Sequence, residues 1–462
     1  MSAQPLFNTD LIQRYDVQGP RYTSYPTALQ FHDGFSVEDY RACAKRSNDL
    51  RPVPLSLYFH IPFCDTVCYY CACTKIITRN HKHAEGYLQR LFKEIELQSQ
   101  LFDGSRKVEQ LHWGGGTPTF LNAEQMTALM ETTRLHFDLA TDDEGEFSIE
   151  VDPRTVDEEG IALLRDLGFN RISMGVQDFD KSVQTAVNRI QSEEQTYNVI
   201  KAAREHGFFS VSIDLIYGLP HQSQKSFSAT LDKIIEMSPD RLSVFNYAHL
   251  PRRFKTQRQI NERDLPAPEE KLLILKHTTE RLLDAGYCYI GMDHFAKPED
   301  ALWLAQQEGS LYRNFQGYST HGNCDLIGLG MSSIGSVGNC YSQNAKDLEK
   351  YYEFLDKDTL PVIRGVTLSD DDILRRDVIS SLICNFKLAT ATIEERYGIT
   401  FWEYFKEERD ALDKLSKDNL IEIDESQLRV TDDGRYLIRN ICMVFDRYLK
   451  KVDPQQSFSK VI

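Results

Sequence analysis

"LSLYFHIPFCDTVCYYCACTK" (Leu55–Lys75) begins with seven residues of strand-forming composition. It then runs through Pro62 into a loop that places Cys64, Cys68, Cys71 and Cys73 within ten positions. A strand that delivers its chemistry at its C-terminal end is the mark of parallel α/β architecture. The rest of the chain extends that pattern. Strand-like runs recur at Val108–Trp113, Phe147–Val151, Arg171–Gln177, Val211–Gly218 and Arg241–Ala248, rich in β-branched and aromatic residues and bounded by Gly, Pro or Asp. Amphipathic helices separate them: Leu88, Leu91, Phe92 and Ile95 share one helical face, as do Met126, Leu129, Met130 and Thr133. Thr155-x-x-Glu158 and Ser192-x-x-Gln195 fit the capping box, while Gly168, Gly207 and Pro239 follow helical runs as stop signals. Six strand–helix repeats predict either a doubly wound sheet or an incomplete barrel.

The flanks differ. Residues 1–50 carry the Pro- and Tyr-rich "GPRYTSYPTA" (Gly19–Ala28) and read as an N-terminal arm or lid over a core at 51–300, with an extension and linker at 301–369. Residues 370–462 read as a helical domain: helices at Asp371–Phe386, Thr392–Phe405, Arg409–Asn419 and Asp433–Leu449, with a hairpin "IEID"/"LRVT" before the last. Helices with a hairpin resemble a winged helix, but residues 370–430 hold fifteen Asp/Glu against nine Lys/Arg. No nucleic-acid face is expected there.

Bulk properties agree. The 462-residue chain has a net charge of −16, which disfavours nucleic acid and anionic membrane. No signal-peptide-like start and no run of eighteen apolar residues is present, so a cytoplasmic location without membrane association is expected. In a reducing cytosol the ten cysteines remain thiols unless a metal takes them.

The Cys-x-x-x-Cys-x-x-Cys spacing has no partner pair a dozen residues away, as a structural zinc site requires. Three soft thiolates on one short loop suit an iron–sulfur cluster, with zinc as the lesser alternative. The other unusual residues occupy strand ends: the "GGGTPT" turn (Gly114–Thr119), Glu150, Gln177, Asp214 and Tyr247–Ala248. Individually each has a plain reading. GGGTPT can be only a tight turn, lacking the Lys-Ser/Thr of a phosphate loop. Glu150 and Asp214 can be structural acids, and Ile334 beside "GLGMSS" can be core.

Cys64-x-x-x-Cys68-x-x-Cys71, with Tyr70 before the third cysteine, resembles the radical S-adenosylmethionine superfamily. "LHWGGGTPTFL", "SIEVDPR", "RISMGVQDF", "IDLIYGLP", "DRLSVFNYAHLP", "NFQGY" and the N-terminal "GPRYTSYPTA" extend the resemblance to one family, the oxygen-independent coproporphyrinogen III dehydrogenases, from Gly19 to the C-terminal "FSKVI". The resemblance implies an incomplete parallel (β/α)6 barrel with a winged-helix-like C-terminal domain. It implies one 4Fe–4S cluster on Cys64, Cys68 and Cys71, with its open iron taking S-adenosylmethionine. Tyr58, Gly115, Glu150 and Ile334 would contact that molecule. Tyr70, Gly116, Thr117, Gln177, Arg189, Asp214 and Ala248 would contact a second. It implies conversion of two propionates of coproporphyrinogen III to vinyl groups, with an electron donor such as flavodoxin or ferredoxin, an unidentified acceptor, and a monomeric protein. Haem chaperones and anaerobic haem-degrading enzymes share the motif, but Cys73 and the long arm favour the dehydrogenase. Tyr58, His60, Glu150 and Gln316 are the candidate catalytic groups, with Phe315 beside the last. Arg21 and Arg313 are candidate clamps for the substrate carboxylates.

Overall fold

The computed structural model describes residues 7–50, 52–141 and 143–449. It packs as two compact units. One comprises Phe31–Ile274 and Asn323–Thr367; the other comprises the described parts of Met1–Gln30, Leu275–Gly322 and Leu368–Ile462.

In the first unit six strands pair in parallel and in chain order: β1 (Leu55–Ile61), β2 (Val108–Gly115), β3 (Glu146–Val151), β4 (Arg171–Gln177), β5 (Ser210–Tyr217) and β6 (Arg241–Asn246). A doubly wound sheet reverses its order at a switch point. This one does not, so of the two readings the barrel-like progression is the one adopted. A seventh parallel strand, β7 (Asp325–Leu329), adds beside β1. From it β8 (Ile334–Val337), β9 (Cys340–Asn344) and β10 (Val362–Thr367) extend the sheet antiparallel. Leu57, Phe59, Ile61, Leu111, Trp113, Ile149, Ile213 and Leu215 are at most 1% exposed, as expected for strands covered by helices.

The helices follow their sequence signals with one correction. Met126, Leu129, Met130 and Thr133 form the buried face of Ala123–His136. Ser192 and Gln195 make the expected reciprocal cap of Glu193–Glu205. Gly168 and Gly207 take positive φ just past their helices. Thr155, however, does not cap Glu158–Asp166. Asp157 does, accepting from Gly160 N. A carboxylate directly before the first turn competes better for those amides than a hydroxyl two residues further away, and Thr155 Oγ1 donates instead to the Asp152 carbonyl at 3.0 Å.

In the second unit the helices Asp370–Asn385, Thr390–Tyr397, Phe401–Tyr404 and Arg409–Lys417 accompany an antiparallel sheet of Lys387–Ala389, Gln427–Val430 and Ile421–Ile423. The run expected as one helix at 392–405 breaks at Gly398, whose φ of +65° ends the first segment. The last helix is shorter than Asp433–Leu449, spanning Ile438–Val444. N-terminal residues are fixed within this unit: Tyr15 donates to Asp418 at 2.5 Å and Tyr22 to Asp446 at 3.0 Å. The segment "FSKVI" lies outside the described residues. Among the described residues no helix is long and apolar enough to cross a membrane.

Candidate active site

The cysteine loop leaves the C-terminal end of β1 and is anchored from beneath. Tyr69 and Tyr70 pack on Val183, Val187, Leu219, Tyr247 and Ile260. Tyr69 N donates to the Val187 carbonyl at 3.0 Å, and Asn188 Nδ2 to the Val67 carbonyl at 2.8 Å. Gln257 Nε2 bridges the carbonyls of Tyr70 (3.0 Å) and Ala248 (3.3 Å), placing the end of β6 beside the loop.

The loop closes one side of a cavity of ≈ 380 Å³. Cys64, Cys68, Cys71 and Cys73 line it, facing Gly115, Gly116 and Thr117 after β2, Glu150 on β3, Gln177 on β4, Asp214 on β5 and Arg189. A larger cavity of ≈ 580 Å³, around Arg134, Phe137, Asp143 and Arg165, offers no thiol. Eleven of the expected cofactor and metal residues therefore converge on one space. Ile334 reaches the neighbourhood from the sheet: its backbone lies 2.8 Å from where a Cβ on Gly328 would be, and Gly328 pairs with Tyr58. Gln316 belongs to the other unit.

Tyr58 and His60 share a strand face. The Tyr58 hydroxyl meets His60 Nδ1 at 3.2 Å, and His60 Nε2 meets the Thr74 carbonyl at 2.9 Å. That second bond makes Nε2 the donor and leaves Nδ1 to accept from Tyr58. Burial holds the His60 pKa below its usual value, so its ring is neutral at pH 7.

Glu150 accepts from Gly115 N at 3.1 Å and meets His112 Nε2 at 3.4 Å. Burial pushes its pKa up, but His112 and the Gly115 amide outweigh this, leaving it ionised. His112, which stacks on Tyr58 at 5.8 Å and meets Ser148 at 2.5 Å, was not anticipated. Nor were Asp152 and Arg154 of "VDPR". Asp152 takes Arg154 in a fork, at 2.9 and 2.6 Å, and accepts from Arg189 at 3.2 Å. The available signal was position: each lies in or just after a strand whose end carries a recognised site residue.

Two features set this cavity apart. Gln177 Oε1 and Arg189 Nε are buried without a hydrogen-bond partner, a cost that native sites retain where a ligand supplies the missing bond. Gln177 also holds φ at +68°, a conformation kept where the surroundings enforce it. The glycines keep the wall thin: a Cβ on Gly116 would stand 2.7 Å from the Pro62 carbonyl.

Cys64, Cys68 and Cys71 line one cavity and offer the soft donor set that an iron–sulfur cluster takes. Among the described residues no three His, Cys, Asp or Glu side chains converge as a ready site for one metal ion. Thiolates that each take a different iron of a cluster stand wider apart than ligands of one ion. The neighbouring Cys73, then Lys75, favour the Cys71 thiolate. Burial pushes Cys64 up to about 11, so its deprotonation needs a metal.

Asp214 is the site acid that titrates near neutrality. Burial, then the Glu150 charge, raise its pKa to about 7. The folded chain thus retains a proton that the unfolded chain releases near pH 4, and stability falls as pH rises from about 4 to 7. In the ligand-free protein Asp214→Asn is expected to stabilise by about 1–2 kcal/mol at pH 8 relative to its effect at pH 5. Melting temperatures of both proteins across that range provide the check; a pH-independent difference would contradict it.

Comparison with known proteins now places this geometry. Residues 58–234 match the Radical SAM superfamily and residues 368–437 the HemN C-terminal domain. Oxygen-independent coproporphyrinogen III oxidase of Pseudomonas aeruginosa is 52% identical over 456 residues, 99% of both chains. The chain belongs to the oxygen-independent coproporphyrinogen III oxidase family. The Escherichia coli relative is 51% identical over the whole of both chains, and that of Synechocystis 45% over 99% of this chain and 98% of its own. A solved structure, coproporphyrinogen III oxidase (HemN) from Escherichia coli, superposes with a TM-score of 0.92 at 50% identity, covering 96% of this chain and all of that one. Membership of this family carries a 4Fe–4S cluster and S-adenosylmethionine.

Proposed function

We propose that this protein converts two propionate side chains of coproporphyrinogen III to vinyl groups, giving protoporphyrinogen IX in haem biosynthesis without oxygen. The observation that carries the reading is full-length identity to the family combined with a cavity in which three thiols face Gln177 and Arg189, whose Oε1 and Nε are buried without a partner among the described residues. With a 4Fe–4S cluster and S-adenosylmethionine bound, the site would supply radical hydrogen abstraction at the propionate β-carbon, with the initiating electron from a donor, and carbon dioxide and one electron lost to a separate acceptor.

The chain's residues have separate tasks. Cys64, Cys68 and Cys71 hold the cluster. Tyr58, Gly115, Glu150 and Ile334 hold one S-adenosylmethionine, with Glu150 as acceptor for its ammonium. Tyr70, Gly116, Thr117, Gln177, Arg189, Asp214 and Ala248 hold a second. Arg189 offers a fork to a carboxylate, and Asp214, when protonated, offers a donor. His60, neutral and hydrogen-bonded on both nitrogens, orients Tyr58. Gln316 acts on the substrate. An electron donor such as flavodoxin or ferredoxin and a separate acceptor complete the cycle in a cytoplasmic monomer.

The test is anaerobic turnover of the reconstituted protein with reductant, S-adenosylmethionine and coproporphyrinogen III, followed by chromatography. Protoporphyrinogen IX with matching 5′-deoxyadenosine is the expected result. Deoxyadenosine without vinyl product would overturn the substrate assignment.

A further inference from the structure

Arg313 stands on a short hairpin, Tyr312–Asn314 against Gly317–Ser319, in the unit that contains the C-terminal helices. It is only 8% exposed, yet its Nε and Nη1 have no hydrogen-bond acceptor among the described residues. Its guanidinium lies over the Tyr318 ring at 4.7 Å. That contact covers a face of the fork and satisfies none of its in-plane N–H groups. Gln316, in the turn of the same hairpin, also holds a buried Nε2 without an acceptor.

Among the described neighbours are two further arginines, Arg439 and Arg21, and one carboxylate, Asp293. Arg439, 5% exposed, donates to the backbone carbonyls of Pro20, at 2.8 Å, and Gly19. Carbonyls satisfy its hydrogens but carry no net charge. Arg21 meets Asp293 at 3.4 Å. Burial, with Arg21 and Arg313 adding to it and Asp293 offsetting part, pushes the Arg439 pKa down to about 9. A buried cation with unpaired donors is costly. Such a cost is retained where an anionic ligand repays it.

We infer that Arg313 and the Gln316 amide form a carboxylate-binding site, backed by the charge of Arg439, and that its occupant is a propionate of the porphyrinogen substrate. The inference rests on the function proposed above. A guanidinium fork beside an amide N–H matches a planar carboxylate. The substrate carries four of them, and a chain of net charge −16 must gather them at a local basic site. The carboxylate of S-adenosylmethionine is the other source of the same chemistry.

The experiment titrates coproporphyrin III, the fluorescent oxidised substrate, and separately S-adenosylmethionine, into the reconstituted wild-type protein, Arg313→Met and Arg313→Lys. The tetramethyl ester of coproporphyrin III serves as the uncharged probe. Arg313→Met is expected to weaken coproporphyrin III binding roughly ten- to a hundredfold, leaving the affinities for the ester and for S-adenosylmethionine unchanged. Arg313→Lys, which keeps the charge and loses the fork, is expected to fall between. Ligand-free Arg313→Met is expected to melt higher than wild type, because it removes an unpaired buried charge; a structural arginine would give a lower melting temperature and overturn the inference. Unchanged coproporphyrin III affinity also overturns it, and a loss confined to S-adenosylmethionine assigns the site to that carboxylate instead. A wild-type protein that neither binds coproporphyrin III nor converts coproporphyrinogen III brings down the proposed function itself, and the propionate assignment with it.

Discussion

Cys68→Ser is expected to give a folded protein that forms neither 5′-deoxyadenosine nor vinyl product, with turnover reduced more than about a hundredfold, since even residues that merely support metal ligands cost up to that much. Cys68 is 9% exposed and lies on a loop held by Tyr69, Tyr70 and Asn188, while its Sγ accepts only a long 3.7 Å bond from Arg189 Nη1. Replacing sulfur by oxygen leaves those anchors intact, so circular dichroism and melting temperature of the ligand-free chain should match wild type. What changes is the donor: a serine hydroxyl stays protonated where a thiolate binds iron. Iron and sulfide content after reconstitution is the direct readout. Cys73→Ser separates roles, because Cys73 neighbours Cys71 and is not assigned to the cluster. It should retain iron and sulfide. Full turnover by Cys68→Ser would mean that these thiols do not hold the catalytic cluster.

The sequence was most legible where one physical requirement set the pattern. β1 spans the expected Leu55–Ile61 and β4 the expected Arg171–Gln177, because short runs rich in apolar, aromatic and β-branched residues bounded by turn residues mark strands. The convergence of Gly115, Glu150, Gln177 and Asp214 on one cavity was legible because parallel strands present their C-terminal ends together. β8 and β9 were not legible. "GLGMSS" reads as a turn, and β9, buried throughout as "CYSQN", lacks the alternation that marks a strand by sequence alone. The strand Lys387–Ala389 is too short to leave a periodic signal. His112, Asp152 and Arg154 were missed because their significance lies in partners about forty residues away in sequence or across a turn, not in their spacing. Arg313 was legible as a basic residue near "NFQGY"; that its N–H groups are buried and unpaired was visible only in three dimensions.

Gly115→Ala is expected to be the most damaging single methyl group that the site can receive. Gly115 holds φ at +111°, a region that side-chain-bearing residues rarely adopt, and an added Cβ would stand 2.5 Å from His60 Nδ1. The ring has no room to yield, because Thr74 holds Nε2 at 2.9 Å and Tyr58 holds Nδ1 at 3.2 Å. If the backbone yields instead, the Gly115 amide leaves Glu150, which it now meets at 3.1 Å. Either movement displaces residues assigned to one S-adenosylmethionine. The combined strain and overpacking should destabilise the chain by about 2–4 kcal/mol, seen as a lower melting temperature, and weaken S-adenosylmethionine binding by more than about tenfold. Gly104→Ala supplies the control: a Cβ there meets nothing within 4 Å, so it should leave stability and affinity near wild type. If Gly115→Ala bound S-adenosylmethionine as tightly as the Gly104 variant, the glycine turn would be a connector only, and the cofactor would have to be held by the cysteine loop and the ends of the later strands without it.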